Sequence, residues 1–368
     1  MKILLLTTHL NIGGIAVYTV NLAKGIKKNG HDVVVASSGG DMTRELELVG
    51  IKHINIDIRT KSEFGLKMWK SVPKLVNIIK QEGVELVHAQ TRVAQVLAAL
   101  SSRVTDVSFI STGHGFYKYQ KLFRKVFPCW GDKVIAISKS VRQHLIKDFH
   151  VRSERVSLVY NGIYLSPYID SIPEKDQDLM GLIGVPSGTN IIGSVGRLSS
   201  VKGYQYLIKA FKNIIDKRQD CRLVLVGSGP EKGALVRLVE KLKIQDKVIF
   251  VPEVKTISSV LSIIDIFCLP SINEGLGLSL MEAMASGRAC IASNAGGLKE
   301  LIENGETGIL IPSRDDAALE KGILKILNNE QFRVSIASKA RKKALKCFSL
   351  EESIEKTIKI YEEVLKDF

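Results

Sequence analysis

Residues 192–211, IGSVGRLSSVKGYQYLIKAF, decide the fold, together with their counterpart at residues 4–26, LLLTTHLNIGGIAVYTVNLAKGI. Each is a short apolar run, then a glycine-bearing loop, then apolar residues at helical spacing. A short apolar run between turn signals reads as a strand buried on both faces, and the spacing after it as an amphipathic helix. The same alternation continues in both directions. In the first half, strands are predicted at Ile3–Leu6, Val33–Ala36, Leu86–Val87, Phe109–Ser111 and Val134–Ile137, with a helix at Val17–Lys28 closed by Asn29-Gly30. In the second they are predicted at Ile191–Val195, Arg222–Val226, Val248–Val251, Phe267–Leu269, Ala289–Ile291 and Ile309–Ile311, with helices at Tyr204–Lys217 and Glu231–Leu242. Strand–helix alternation of this kind predicts an α/β protein of two doubly wound parallel sheets.

Residues 165–190 hold three of the nine prolines among polar and acidic residues and read as the linker. The expected domains are therefore 1–165 and 166–352, with a final helix at about 353–368 packing back on the first. The length, 368 residues, suits two domains, and a hydrophobic fraction of 45% excludes a disordered chain. The five cysteines are far apart with no CxxC pair, which supports neither a disulfide framework nor a zinc site. The start MKILLLTTHL is too short an apolar run for a signal peptide, and no run suffices to span a membrane, so a cytoplasmic location is expected.

The net charge of +14 is lopsided: residues 1–160 carry 24 Lys+Arg against 12 Asp+Glu, and the rest carry 28 against 26. Two basic, aromatic-bearing stretches concentrate that excess. Arg59–Lys80 holds six Lys+Arg and one Glu, with Phe64, Leu66, Met68, Trp69 and Val72 among them. Tyr117–Trp130 holds four Lys+Arg and no acid. Basic amphipathic segments with Trp and Phe suit an anionic membrane surface, although a solvated helix with its aromatic side in the core reads the same way. No nucleic-acid-binding motif accompanies the charge, so nucleic acid is not the expected partner.

Four segments carry chemistry. In SINEGLGLSLMEAMASG, residues 271–287, Glu274 precedes the loop Gly275-Leu276-Gly277, with a helix starting near Ser279 and Glu282 on its first turn. Glycines admit a close ligand, and free amides at a helix start suit a phosphate. Ser279-x-x-Glu282 also fits a capping box. In GRLSSVKG, residues 196–203, Arg197 and Lys202 flank a loop and suit a diphosphate, although surface cations are the commoner fate of both. Gly13-Gly14 lies between a strand and a helix, either as a phosphate-binding turn or a tight turn alone, and His114 sits between two glycines just after a buried strand. There is no G-x-x-x-x-G-K-[ST] and no proper G-x-G-x-x-G, which disfavours P-loop and nicotinamide chemistry.

Taken in order, these segments resemble a retaining glycosyltransferase of family 4, with the GT-B fold. The resemblance implies two Rossmann-like domains facing across a cleft and a nucleotide-diphosphate sugar donor, UDP- or GDP-linked. No metal cluster appears in the sequence, so neither cofactor nor metal is expected. It implies that Arg197 and Lys202 grip the diphosphate, joined by the amides of Leu278 and Ser279. It places Glu274 on the donor sugar beside the amides of Gly275, Leu276 and Gly277, Glu282 on the ribose, Val254 at the base, and His114 near sugar and acceptor. The catalytic set is then His114, Glu274, Arg197 and Lys202, with Gly13 and Gly14 among the donor contacts. The chain reads Asn161-Gly162-Ile163-Tyr164 where members often carry N-G-V-D. The GHGFY setting followed by basic aromatics is similar to enzymes that glycosylate lipid-linked sugars, so a lipid-linked saccharide or glycolipid acceptor at the inner membrane face is expected. The rivals are a soluble acceptor, as in sucrose- or trehalose-type synthesis, and a noncatalytic sugar-nucleotide or nucleic-acid binding protein.

Overall fold

The computed structural model describes residues 1–60, 62–63, 65–117, 127–252 and 257–366. Its chain forms two compact units: one from Met1–Gly162 together with the C-terminal helix Leu350–Lys366, the other from Ile163–Ser349.

The first unit is built on seven parallel strands: β1 Lys2–Leu6, β2 Asp32–Ser37, β3 Lys52–Asn55, β4 Leu86–Ala89, β5 Ser108–Gly113, β6 Val134–Ala136 and β7 Val156–Leu158. Their spatial order is β3-β2-β1-β4-β5-β6-β7, with Leu4 opposite both Val34 and Val87. Side chains alternate across a strand, so each strand feeds two cores. Ile3 and Leu5 pack with Val33, Val35 and Leu86 against the helices Gly14–Lys28 and Leu350–Lys366, the latter supplying Ile354, Ile358 and Tyr361. Leu4 and Leu6 pack on the opposite face with Val34, Ala36 and Val87, against Met68, Leu75 and Ile79 of the helix Leu66–Glu82 and Leu97 of the helix Arg92–Thr105.

The second unit has six parallel strands: β8 Asn190–Val195, β9 Cys221–Val226, β10 Val248–Val251, β11 Ile266–Leu269, β12 Ala289–Ser293 and β13 Ile309–Ile311. The order is β10-β9-β8-β11-β12-β13. The helix Tyr204–Lys217 turns Leu207, Ile208, Phe211 and Ile214 onto this sheet, as its spacing predicts.

Both sheets are doubly wound, as the alternation predicts. Several details differ. The edge strands β3 and β7 were not expected, because each has only one neighbour and a mixed, partly exposed sequence. The linker region contains two short helices, Ser166–Ile169 and Gln177–Leu182, and the buried Arg288 holds it by donating to the Pro173 carbonyl at 2.8 Å. The predicted helix Glu231–Leu242 runs from Lys232 to Lys241. Among the described residues, no helix is long and apolar enough to cross a membrane.

Candidate active site

In the second unit the strand order reverses at β8, whose neighbours β9 and β11 lead in opposite directions. Such a switch point leaves a crevice at the carboxyl ends of the two central strands, where open α/β sheets bind ligands. The loop after β8 carries Arg197 and Lys202, and the loop after β11 carries Glu274.

Backbone contacts fix these loops against each other. Ile272 N–H donates to the Val201 carbonyl at 2.7 Å, Leu198 N–H to Ser228 at 2.8 Å, and Gly297 N–H to Glu274 at 3.0 Å. Gly203 holds the turn into the helix Tyr204–Lys217 with φ +68°, and a Cβ there would lie 2.1 Å from the Pro270 carbonyl oxygen. Only glycine satisfies both conditions.

Lys202 Nζ donates to Glu274 Oε2 at 2.6 Å, and the same oxygen accepts from Ser271 Oγ at 3.0 Å. The two side chains are only 18% and 17% exposed. Arg197 is exposed and makes no ion pair with any described residue. One cation is thus held against a carboxylate, while a second stands open on the same loop.

Gly275, Leu276 and Gly277 are buried, and Gly277, at φ +103°, precedes the helix Leu278–Ala285. The helix therefore starts one residue before Ser279, and the N-cap is a glycine without a side-chain cap. That overturns the capping-box reading, since Ser279 stands inside the helix where no such box can form. Glu282 correspondingly lies on the second turn, not the first. Leu278 and Ser279 are first-turn residues, whose amides have no carbonyl partner within the helix. Glu282 is half-buried, and desolvation pushes its carboxyl up to about 7, with Tyr168 beside it. Val254 lies outside the described residues.

The first unit repeats the plan, with its switch point at β1 between β2 and β4. The loop after β1 ends at Gly13, which caps the helix that begins at Gly14. Thr8 and Thr91, at the ends of the two switch-point strands, share a hydroxyl hydrogen bond of 2.6 Å. His114 follows β5, its Nε2 3.0 Å from Gln90 Oε1 and its ring edge-on to Tyr18 with centroids 4.9 Å apart. Burial pushes this imidazole down to about 3, so it is neutral at pH 7. It can exchange hydrogen bonds there, but it does not act as a cation.

The sequence reading missed Arg92, Gln90 and His88. Arg92, buried at the start of the helix Arg92–Thr105, pairs with buried Glu63 at 3.1 Å and donates to the carbonyls of Phe127 (2.7 Å) and Pro128. It therefore ties together the two basic, aromatic stretches. No spacing in the sequence marks it, because its partners Glu63 and Phe127-Pro128 come from two segments distant in the chain. Within those stretches, Met68 and Trp130 are buried, which removes both from the expected lipid-facing set. Leu66 and Trp69 stand out at 81% and 52% exposed, and Phe127 is exposed too. Phe64 and residues 118–126 lie outside the described residues. Among the described residues, no group of three or more His, Cys, Asp or Glu side chains is placed to hold a metal ion.

Two family models match the chain almost end to end. Residues 12–166 match the model of Glycosyltransferase Family 4, and residues 177–343 that of Glycosyl transferases group 1. The chain is a family 4 glycosyltransferase. This glycosyltransferase is 24% identical over 381 residues to an N-acetyl-alpha-D-glucosaminyl L-malate synthase of Bacillus anthracis, covering 98% of this chain and 97% of that one. It is 24% identical to a UDP-Gal:alpha-D-GlcNAc-diphosphoundecaprenol alpha-1,3-galactosyltransferase of Escherichia coli, covering 80% of each. In fold, the glycosyltransferase matches an Anabaena protein solved in complex with UDP-glucose, at TM-score 0.87 and 23% identity over 99% of this chain and 100% of that one.

Proposed function

We propose that this glycosyltransferase moves a sugar, with retention, from a UDP- or GDP-linked donor to a lipid-linked saccharide or glycolipid. It works in cell-surface polysaccharide or glycan synthesis, in the cytoplasm at the inner face of the membrane. The observation that carries the donor half is the Lys202–Glu274 pair at a sheet switch point, beside the free helix-start amides. Arg197 and Lys202 hold the diphosphate, and the amides of Leu278 and Ser279 share its charge. Negative charge grows on the diphosphate as the bond to the sugar breaks, and fixed donors aimed there lower the barrier. No metal or cofactor is assigned a part. Glu274, with the amides of Gly275, Leu276 and Gly277, holds the sugar hydroxyls, and Glu282 holds the ribose. Val254 marks the base contact, Gly13 and Gly14 offer backbone amides to the donor, and His114 serves the sugar and acceptor.

A thermal-shift series over UDP-, GDP- and ADP-sugars tests the donor reading. At a hundred times Kd, a ligand that binds only the folded state adds about 2.7 kcal/mol of stability. The expected result is a rise with a UDP- or GDP-sugar that Arg197→Ala abolishes. A melt unmoved by any of them would overturn the donor assignment.

The acceptor half rests on the helix Leu66–Glu82. Its solvent face carries Leu66, Trp69 and Pro73 beside Lys70, Lys74 and Lys80, none of these lysines pairing with a described acid. Apolar side chains flanked by free lysines fit an anionic lipid surface, each lysine adding about 1 kcal/mol near it. The protein is expected to float with anionic but not neutral vesicles and to be released by salt. Trp69→Ala combined with Lys70→Gln and Lys74→Gln is expected to abolish flotation. Absence of binding, or binding insensitive to salt, would favour the soluble-acceptor reading that the L-malate synthase relative illustrates.

A further inference from the structure

Beneath His114 lies a buried polar chain that the reaction as described does not use. His88, at no measurable exposure on β4, has both ring nitrogens engaged: Nδ1 is 2.7 Å from the Tyr361 hydroxyl and Nε2 is 2.7 Å from Thr112 Oγ1. Thr112 stands two residues before His114 on β5, and Gln90, which meets the His114 ring, stands two residues after His88. The Tyr18 ring supports His114 edge-on, with centroids 4.9 Å apart. Tyr361 stands on the helix Leu350–Lys366.

Apolar side chains would fill this interior without the cost of placing hydroxyls and an imidazole there. Burial keeps His88 neutral, so one of its nitrogens donates and the other accepts. The directions of the Tyr361 and Thr112 hydroxyls are then coupled through the ring. The ends of β4 and β5, which carry Gln90 and His114, are joined through the His88–Thr112 bond of this network.

We propose that the C-terminal helix positions His114 for the transfer step, with Tyr361, His88 and Thr112 as positioning residues. This rests on the reading that His114 touches the sugar or acceptor. Tyr361→Phe removes one hydroxyl and keeps the ring that packs in the core. The test is a double-mutant cycle of Tyr361→Phe with His114→Ala in the full chain. Nucleotide release is followed from the sugar nucleotide that gives the largest thermal shift.

Tyr361→Phe alone is expected to lower kcat between about ten- and a hundredfold with donor KM held, as misplaced catalytic groups do. In the His114→Ala background it is expected to change kcat less than twofold, since coupled residues are not additive. Thr112→Val, which removes the hydroxyl 2.7 Å from His88 Nε2, serves as the second probe if Tyr361→Phe fails to fold. Equal losses in both backgrounds would show a general structural role and overturn the proposal. An active Tyr361→Phe beside an impaired His114→Ala would overturn the coupling alone. A fully active His114→Ala would overturn both the coupling and the reading of His114.

Discussion

Lys202→Met is expected to lower kcat/KM for sugar transfer by about 10²–10³-fold, the loss typical of removing one fixed donor from a developing negative charge. Two effects combine in that loss. On the proposed donor reading the ammonium no longer meets the departing diphosphate, and Glu274 loses the partner 2.6 Å away that holds its carboxylate in place. Ser271 Oγ alone remains on that carboxylate oxygen. The stability loss is expected to be modest, about 1–3 kcal/mol, because neither side chain is fully buried. Kinetics and melts on the same preparation separate the two effects. A less than threefold change in kcat/KM would remove Lys202 from the leaving-group machinery.

The second large effect is expected at a residue with no functional atoms. Gly297 has an ordinary helical backbone at φ −76°, so alanine suits its torsions. The obstacle is space: a Cβ there would sit 2.2 Å from the Gly275 carbonyl oxygen and 2.9 Å from Leu276 Cα. Its amide also donates to the Glu274 carbonyl. Gly297→Ala must push away the loop that carries Glu274 and the two glycines after it. The expected outcome is a loss of about 10²-fold in kcat/KM, with about 1–3 kcal/mol of destabilisation from overpacking. Gly181→Ala is the control. Gly181 lies in the helix Gln177–Leu182 with nothing near its Cβ direction, so alanine is expected to stabilise by up to about 1 kcal/mol. If Gly297→Ala were as active as that control, the close seating of the two loops would not matter to transfer.

The elements legible in the sequence were those with the strongest physical constraint. Strands buried on both faces, such as Leu223–Val226 and Ile266–Leu269, have to be apolar without interruption, and the helix Tyr204–Lys217 has to be apolar every third or fourth residue. The edge strand Lys52–Asn55 obeys neither rule, as one side of its ladder is open. Following glycines mark Glu274 in the sequence, and a strand-to-helix loop flanked by two cations marks Lys202, but their pairing across 72 positions needs the strand order. Arg92 and His88 were invisible for the same reason, being ordinary residues whose meaning comes from segments distant in the chain. The solvent face of the helix Leu66–Glu82 sits between these cases. Its composition was plain, yet only the fold separates buried Met68 from exposed Trp69.

The first unit is discontinuous in the chain, closed by a helix that follows the whole of the second. During synthesis its seven strands emerge before the second unit, but Ile354, Ile358 and Tyr361, which cover one face of its sheet, emerge after it. The second unit has all of its strands before then. The ribosome therefore delivers the later unit ready to fold while the earlier one still exposes the apolar surface around Leu22 and Ile26. Chaperone demand, and sensitivity to damaged or stalled messages, should concentrate in that interval.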